Sequence, residues 1–175
     1  LNKCQQVSRE LNSADLTSFV FPQDKVGNLK ALNDAGFKVF RGAGIYDKIR
    51  DSSKFKKLLY TLGVCLGLPN DPISASKNGQ LINLPLSNHY RLERPIILNN
   101  PYSFVPLFSK YLSVKNSVRK AIKMNKIAHI GLHPIDFGMH SEKYRQHFER
   151  LLRFISDSRD RHEIDIITMS EILDT

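Results

Sequence analysis

The stretch Ile127-Ala128-His129-Ile130-Gly131-Leu132-His133-Pro134 decides how we interpret the rest of the chain. Its apolar run is rich in β-branched residues, is too short for a helix and stops at a proline, so we predict a buried strand. Side chains alternate between the two faces of a strand, which places both histidines and Gly131 together. One face is therefore apolar, and the other carries imidazoles.

His133 is the last residue of this predicted strand, and a loop over residues 134–140 follows it. In parallel α/β proteins ligands bind at the carboxyl ends of the strands, so this position favours a functional role. A strand-end histidine also serves as an ordinary hydrogen-bonded structural residue. The spacing alone leaves both interpretations open.

The first third of the chain has the pattern of a strand, a helix and a second strand. We predict strands at residues 18–21 and 37–41, joined by a helix with Asp24 as its N-cap that ends at Ala35, with Gly36 as C-cap. Such a unit is a right-handed crossover of a parallel sheet.

The remaining patterns continue this alternation of strands and helices. We predict helices over 1–12, 54–66 and 104–124, the last with a possible break at 113–116. A further helix has Ser141 as its N-cap, and a short closing helix begins at Ser170. Loops are predicted over 69–79 and 86–90, and strands over 81–85 and 164–168. The Ser141 helix has an apolar stripe formed by Tyr144, Phe148, Leu151, Leu152 and Ile155. The fold class is therefore α/β, in barrel or open-sheet form, with too few strands for eight.

Composition sets limits on the kind of protein. The chain has 175 residues, 41% of them hydrophobic, which suits one domain with a real core. It lacks a run long enough to span a membrane and an apolar leader, and it begins with Leu1, so we expect an internal or processed piece. Its localisation is unknown; a cytoplasmic and a cell-envelope location are both open. Cys4 and Cys65 are expected to be free thiols.

The charged and titratable residues outside the opening stretch give weak signals. The net charge is +9, but the basic residues are dispersed and lack interleaved aromatic residues, which favours solvated surfaces over nucleic-acid binding. His140 and His147 are interpreted as surface or capping residues, since no acidic residue or cysteine stands beside them at ligand spacing.

Four segments together resemble a known family. They are FVFPQDKVGNL (19–29), LNDAGFKVFRG (32–42), IGLHP (130–134) and RHEIDIITMSEI (161–172). Their order and spacing resemble the C-terminal half of the polysaccharide deacetylase domain, carbohydrate esterase family 4. The resemblance implies an incomplete or distorted (β/α) barrel, with residues 1–175 as the C-terminal portion of the domain.

The family's activity is hydrolysis of a carbon–nitrogen bond that is not a peptide bond: an N-acetyl group is removed from an amino sugar of a glycan. By resemblance, His133 matches the histidine that protonates the leaving amine, and Arg41 matches an arginine at the next strand end. Substrate-groove positions are expected at Phe21, Pro22, Asn88, His89 and Gly131. A divalent metal, typically zinc, activates water in the family.

The chain departs from the family in two respects. The family's paired aspartates and metal-binding histidines lie upstream of the matched region, so we expect no metal ligands and no tightly bound metal in this chain. Gly131 stands where the family usually has a bulky residue against the acetyl methyl. A non-catalytic carbohydrate-binding or scaffolding barrel module is therefore the alternative, and a basic nucleic-acid-binding domain ranks below both. The oligomeric state is unknown.

Overall fold

The computed structural model describes residues 1–44, 48–49, 51–90, 105–133 and 142–174. The fold is mixed α/β, with five helices and two small sheets in this part of the chain. The helices are α1 (Asn2–Asn12), α2 (Leu29–Asp34), α3 (Lys54–Cys65), α4 (Leu107–Met124) and α5 (Glu142–Asp160). The strands are β1 (Ser18–Val20), β2 (Val39–Arg41), β3 (Ser76–Asn78), β4 (Leu81–Asn83), β5 (Asn88–His89) and β6 (Ile130–Gly131). Short 3₁₀ turns form at Pro22–Asp24 and Glu171–Leu173.

The larger sheet has the strand order β1-β2-β4-β3. Strand β2 is parallel to both β1 and β4, with Phe40 opposite Phe19 on one side and Asn83 on the other. The predicted strand–helix–strand crossover is therefore confirmed. Strand β3 is antiparallel to β4 and lies inside the segment that we predicted as a polar loop, because a tight turn at Gly79, with φ of 63°, folds it back onto β4.

The smaller sheet pairs β5 with β6 in parallel, with Asn88 opposite Ile130 and His89 opposite Gly131. We predicted a loop at β5 and a longer, buried strand around β6. Both predictions were wrong in extent, since β6 covers only two residues and is half-buried. Within the described ranges the two sheets do not close into a barrel.

Two apolar clusters form the core. Beneath the larger sheet, Phe21, Leu32, Phe37, Phe40 and Leu81 pack together with edge-to-face contacts between their rings. Between α4, α5 and the smaller sheet lies a second cluster of Tyr90, Tyr111, Val114, Tyr144 and Leu151. The predicted α5 stripe is confirmed in part, because Leu152 is 48% exposed while Tyr144 and Leu151 are buried. Ser141 lies outside the described residues.

The N-cap of α2 is Asn28, whose side chain accepts a hydrogen bond from the backbone N–H of Ala31 at 3.0 Å. Asp24, which we predicted for this role, instead ends the preceding 3₁₀ turn and forms an ion pair with Arg41. The helix therefore begins four residues later than predicted.

Helix α4 runs without the predicted break at 113–116. Its polar side chains there bind the loop that follows α3, rather than ending the helix. The Ser113 hydroxyl donates to the carbonyl of Leu68 at 2.7 Å, and the Asn116 amide donates to the carbonyl of Gly67 at 2.8 Å. Both side chains thus form tertiary hydrogen bonds. The predicted break was wrong because serine and asparagine also occur where helices end.

Residues 164–168 do not form the strand that their β-branched composition predicted. Ile166 and Ile167 are exposed, and residues 164–167 exchange no backbone hydrogen bonds with other described residues. A strand exists only where a partner strand completes its ladder, and the described chain offers this segment none.

Two further features concern the protein as a whole. Both cysteines are free thiols, as predicted. Of the helices described, none is long and apolar enough to cross a bilayer.

Candidate functional site

The imidazoles of His89 and His133 form a pair at the carboxyl ends of β5 and β6. Their ring centroids lie 5.1 Å apart with an interplanar angle of 38°. Both side chains are half-buried. The parallel pairing of His89 with Gly131 brings the two rings together, since His133 lies two residues beyond Gly131 on the same face. Two of the predicted site residues thus lie in contact.

Gly131 is close to the side chain of Leu86. A Cβ atom built at Gly131 would lie 2.8 Å from Cδ1 and 3.0 Å from Cδ2 of Leu86, closer than side-chain atoms normally approach. Leu86 is almost fully buried. The space that a bulky residue would need at position 131 is therefore occupied by Leu86, from the neighbouring strand segment.

Arg41, at the end of β2, forms an ion pair with Asp24. Its Nε donates to Oδ1 at 2.7 Å, and the two side chains are only 22% and 16% exposed. Asp24 has a φ of 56°, in the left-handed region that few residues other than glycine, asparagine and aspartate adopt. Among the described residues the Arg41 Nη groups have no hydrogen-bond partner. The pair fixes the guanidinium while leaving these donors available.

His129 lies near this ion pair, and its imidazole ring contacts two backbone carbonyl groups. Its Nδ1 is 3.2 Å from the carbonyl oxygen of Leu84 and 3.1 Å from that of Pro85. A carbonyl only accepts, so Nδ1 carries the proton. Burial lowers the pKa of His129, although the two carbonyl contacts raise it, and Arg41 lowers it further. His129 is therefore a neutral structural residue rather than a proton donor.

Asn88 is buried within a polar network, although we predicted a contact with substrate. Its Oδ1 accepts a hydrogen bond from the Asn70 amide at 2.8 Å and lies 3.2 Å from the Ser117 hydroxyl. Its own amide donates to the Ser87 hydroxyl at 3.3 Å. The network joins β5 to α4 and to the loop after α3, and it positions the neighbouring His89.

The predicted groove residues Phe21 and Pro22 follow β1. Phe21 is buried, with its ring 5.0 Å from that of Phe19 and 6.0 Å from that of Phe40. Pro22 is exposed and begins the 3₁₀ turn that leads to Asp24. Phe21 thus contributes to the core, and Pro22 supplies a fixed φ at the entrance to the turn.

The predicted site residues fall into two groups. Arg41 lies with Asp24 and His129, while His89 lies with His133. Between described residues, no hydrogen bond or ion pair joins Arg41 to either histidine of the second group. Sequence reasoning missed Asp24 and Leu86; the left-handed turn at Asp24 has no reliable sequence signal, and Leu86 becomes relevant only through β-pairing.

The other histidines do not extend the site. His147 packs between α4 and α5, with its ring centroid 6.2 Å from those of Phe108 and Tyr111. Burial, together with the nearby Arg150, lowers the pKa of His147. His140 lies outside the described residues. Over the described ranges, no three His, Cys, Asp or Glu side chains come together as metal ligands would.

A groove of about 470 Å³ lies away from the histidine pair. It runs between residues 125–130, the end of α4 and residues 163–169, and it includes His129 but neither His133 nor Arg41. Most of its lining residues are aliphatic, and Lys126, His129, Glu163 and Asp165 are among the polar ones. The histidine pair includes the residue that the sequence predicts to be functional, so we keep it as the candidate for chemistry.

Comparison with known proteins does not assign the chain to a family. No family model matches it, and neither the curated proteins nor the solved structures contain a match.

Proposed function

We propose that this chain is the C-terminal portion of a polysaccharide deacetylase-like hydrolase with a distorted (β/α)-barrel domain. Its substrate would be an N-acetylated amino-sugar glycan. The observation that carries the proposal is the contact between His89 and His133, whose ring centroids are 5.1 Å apart at the carboxyl ends of two parallel strands. The segment around His133 is also the one whose sequence resembles the family's proton-donating histidine.

His133 would deliver the proton that the leaving nitrogen needs. In amide hydrolysis the carbon–nitrogen bond breaks, the acetyl group leaves with the oxygen of water as acetate, and the nitrogen leaves as an amine with an added proton. An imidazole titrates near neutral pH and is suited to this transfer. The His89 ring, which lies tilted against that of His133, would restrict the orientation of the donor ring.

Leu86 would supply the apolar wall against the acetyl methyl. Gly131 has no side chain to do this, and Leu86 fills the adjacent space. Arg41, held by Asp24, would orient a polar group of the glycan through its Nη donors. We assign sugar contacts to His89 and the exposed Pro22 rather than to Asn88, whose amide is engaged within the protein.

The divalent metal of the family has no ligand set among the described residues. By the resemblance, its ligands would lie in the family's upstream segments, and we derive no step through it. When bound in the family, the metal supplies activated water.

The proposal is tested in the intact protein by measuring acetate release from N-acetylglucosamine oligomers, together with metal content. His133→Asn should lower turnover about 10²–10⁴-fold, the usual contribution of a positioned acid, with unchanged metal content. His162→Asn, on an exposed turn, is the matched control and should retain full activity. Unchanged turnover in His133→Asn would exclude the acid role, and loss of metal would make His133 a ligand instead.

The encoding DNA upstream of Leu1 gives a second test. An open frame that encodes an Asp-Asp pair and a His-x-x-x-His segment supports the hydrolase. A frame without them favours a non-catalytic carbohydrate-binding module, which would bind the same oligomers without releasing acetate.

A further inference from the structure

Helix α3 has an exposed apolar stripe. Phe55, Leu58, Leu59 and Leu62 are each between 49% and 67% exposed, and Leu66, the C-cap residue, is 75% exposed. Helical residues three, four and seven positions apart lie on one face, so these side chains form a continuous surface. Contiguous exposed apolar patches of this kind mark interaction sites.

The stripe is not needed to hold the helix in place. Helix α3 packs on α4, its Thr61 is buried away from the stripe, and the following loop is tied to α4. At Gly67 an added Cβ would lie 2.9 Å from the Cβ of Leu112, so this loop lies directly against α4. The hydrogen bonds from Ser113 and Asn116 to the carbonyls of Leu68 and Gly67 complete the attachment.

Lysines flank the stripe on both sides. Lys54 and Lys56 immediately precede and follow Phe55, so each lies about 100° around the helix from it. Both are exposed. Residues 52–70 contain three lysines and no aspartate or glutamate. The apolar surface is therefore bordered by positive charge at its first turn, and Asp51, which precedes the helix, is the acidic residue nearest to it in sequence.

We propose that the α3 stripe, Phe55, Leu58, Leu59, Leu62 and Leu66, binds the surface of a bilayer that contains anionic lipids. Leucine and phenylalanine on one face, with lysines beside them at the first turn, are features of a helix that lies in a lipid headgroup region. Lysine stems are long enough to lie along acyl chains while their ammonium groups reach lipid phosphates.

The test is co-flotation of the 175-residue chain with vesicles of phosphatidylcholine alone and with vesicles that also contain phosphatidylglycerol. We expect binding to the anionic vesicles only, weakened by added salt. Leu58→Ser combined with Leu62→Ser should lower the bound fraction at least tenfold. Lys54→Glu combined with Lys56→Glu should have a similar effect, since each lysine near an anionic surface contributes roughly a fivefold factor.

Matched control variants distinguish the effect of the α3 stripe from a general loss of exposed apolar residues or of positive charge. Val7→Ser with Leu11→Ser removes two exposed apolar residues from α1, and Lys3→Glu with Lys77→Glu makes the same change of net charge elsewhere. Both controls should bind as the parent does. Circular dichroism should give the same helix content for every variant.

Three outcomes would overturn the proposal. They are binding to neither vesicle, equal loss in the control variants, and concentration-dependent dimers in sedimentation that Leu58→Ser with Leu62→Ser abolishes. The last outcome would make a second copy of the chain, rather than a bilayer, the occupant of the stripe.

Discussion

Leu86 fills the space beside Gly131: its Cδ1 lies 2.8 Å from where a Cβ of residue 131 would be. This contact joins the segment between β4 and β5 to β6, at the base of the His89–His133 pair. The glycine is thus explained by packing across strands, and it does not require a substrate with a larger acyl group.

Gly131→Ala should destabilise the protein because the new methyl group overlaps Leu86. We expect the free energy of unfolding to fall by about 1–3 kcal/mol, the usual effect of overpacking, measured by urea denaturation. Leu86→Ala is itself destabilising because Leu86 is buried, but the two losses should not add, since alanine at position 86 removes the overlap. A double-mutant cycle would report this coupling. Gly63→Ala is the control, because its Cβ would meet Leu68 at an ordinary 3.7 Å and alanine favours a helix. Equal effects at both glycines would contradict the packing explanation.

Asp24→Asn should remove the ion pair with Arg41 while keeping the shape of the side chain. Asparagine tolerates the left-handed backbone at this position, so no strain is added. Because both partners are largely buried, we expect a loss of about 1–3 kcal/mol in the free energy of unfolding. Asp15→Asn, which removes the exposed pair with Arg9, should cost at most about 1 kcal/mol. Similar small costs for both would mean that the Arg41–Asp24 pair contributes no more than a surface pair.

Stability should fall as the pH is lowered through the range below about 6.5. Burial lowers the pKa of His129 and of His147 from the ordinary 6.5, so the unfolded chain takes up protons that the folded protein excludes. The stability that neutral imidazoles provide is present above pH 6.5 and is lost as the pH falls toward the folded-state values.

His129→Asn should flatten this dependence, since the Asn amide can still donate to the carbonyl groups of Leu84 and Pro85 but does not titrate. Urea denaturation at several pH values provides the measurement. His162→Asn, at an exposed turn, should retain the slope of the parent. An unchanged slope in His129→Asn would show that this imidazole is not protonated on unfolding.

Ser117→Ala should destabilise the junction between α4 and β5. The buried Ser117 hydroxyl accepts from the backbone N–H of Asn70 at 2.9 Å and donates to the carbonyl of Ser113 at 2.7 Å. Alanine leaves the Asn70 N–H without this acceptor, so we expect a cost of about 1–3 kcal/mol in urea denaturation. Ser156→Ala, which removes only an exposed hydrogen bond from Arg159 at 3.3 Å on α5, should change stability by less than about 0.5 kcal/mol. A neutral Ser117→Ala would mean that another acceptor replaces the hydroxyl.

Local sequence patterns were sufficient to predict several of the helices and strands. The 3.6-residue periodicity predicted the helices α1, α3 and α5, and the strand–helix–strand unit from β1 to β2 was predictable as well. The apolar pattern matches the buried face only in α5, since the apolar residues of α1 and of the α3 stripe are exposed. His133 was predicted as the last residue of its strand, but β6 ends at Gly131, so only a position close to a strand end was correct.

Tertiary structure decided the rest, because long-range partners override local preference. Residues 164–168 have strand composition but no ladder partner in the described chain, whereas the polar residues of 113–116 remain helical because they bind another loop. Asp24 became the partner of Arg41 rather than a helix cap, and His89 met His133 only through the pairing of β5 with β6. A sequence specifies which groups can form such contacts; their juxtaposition depends on the free energy of the whole fold.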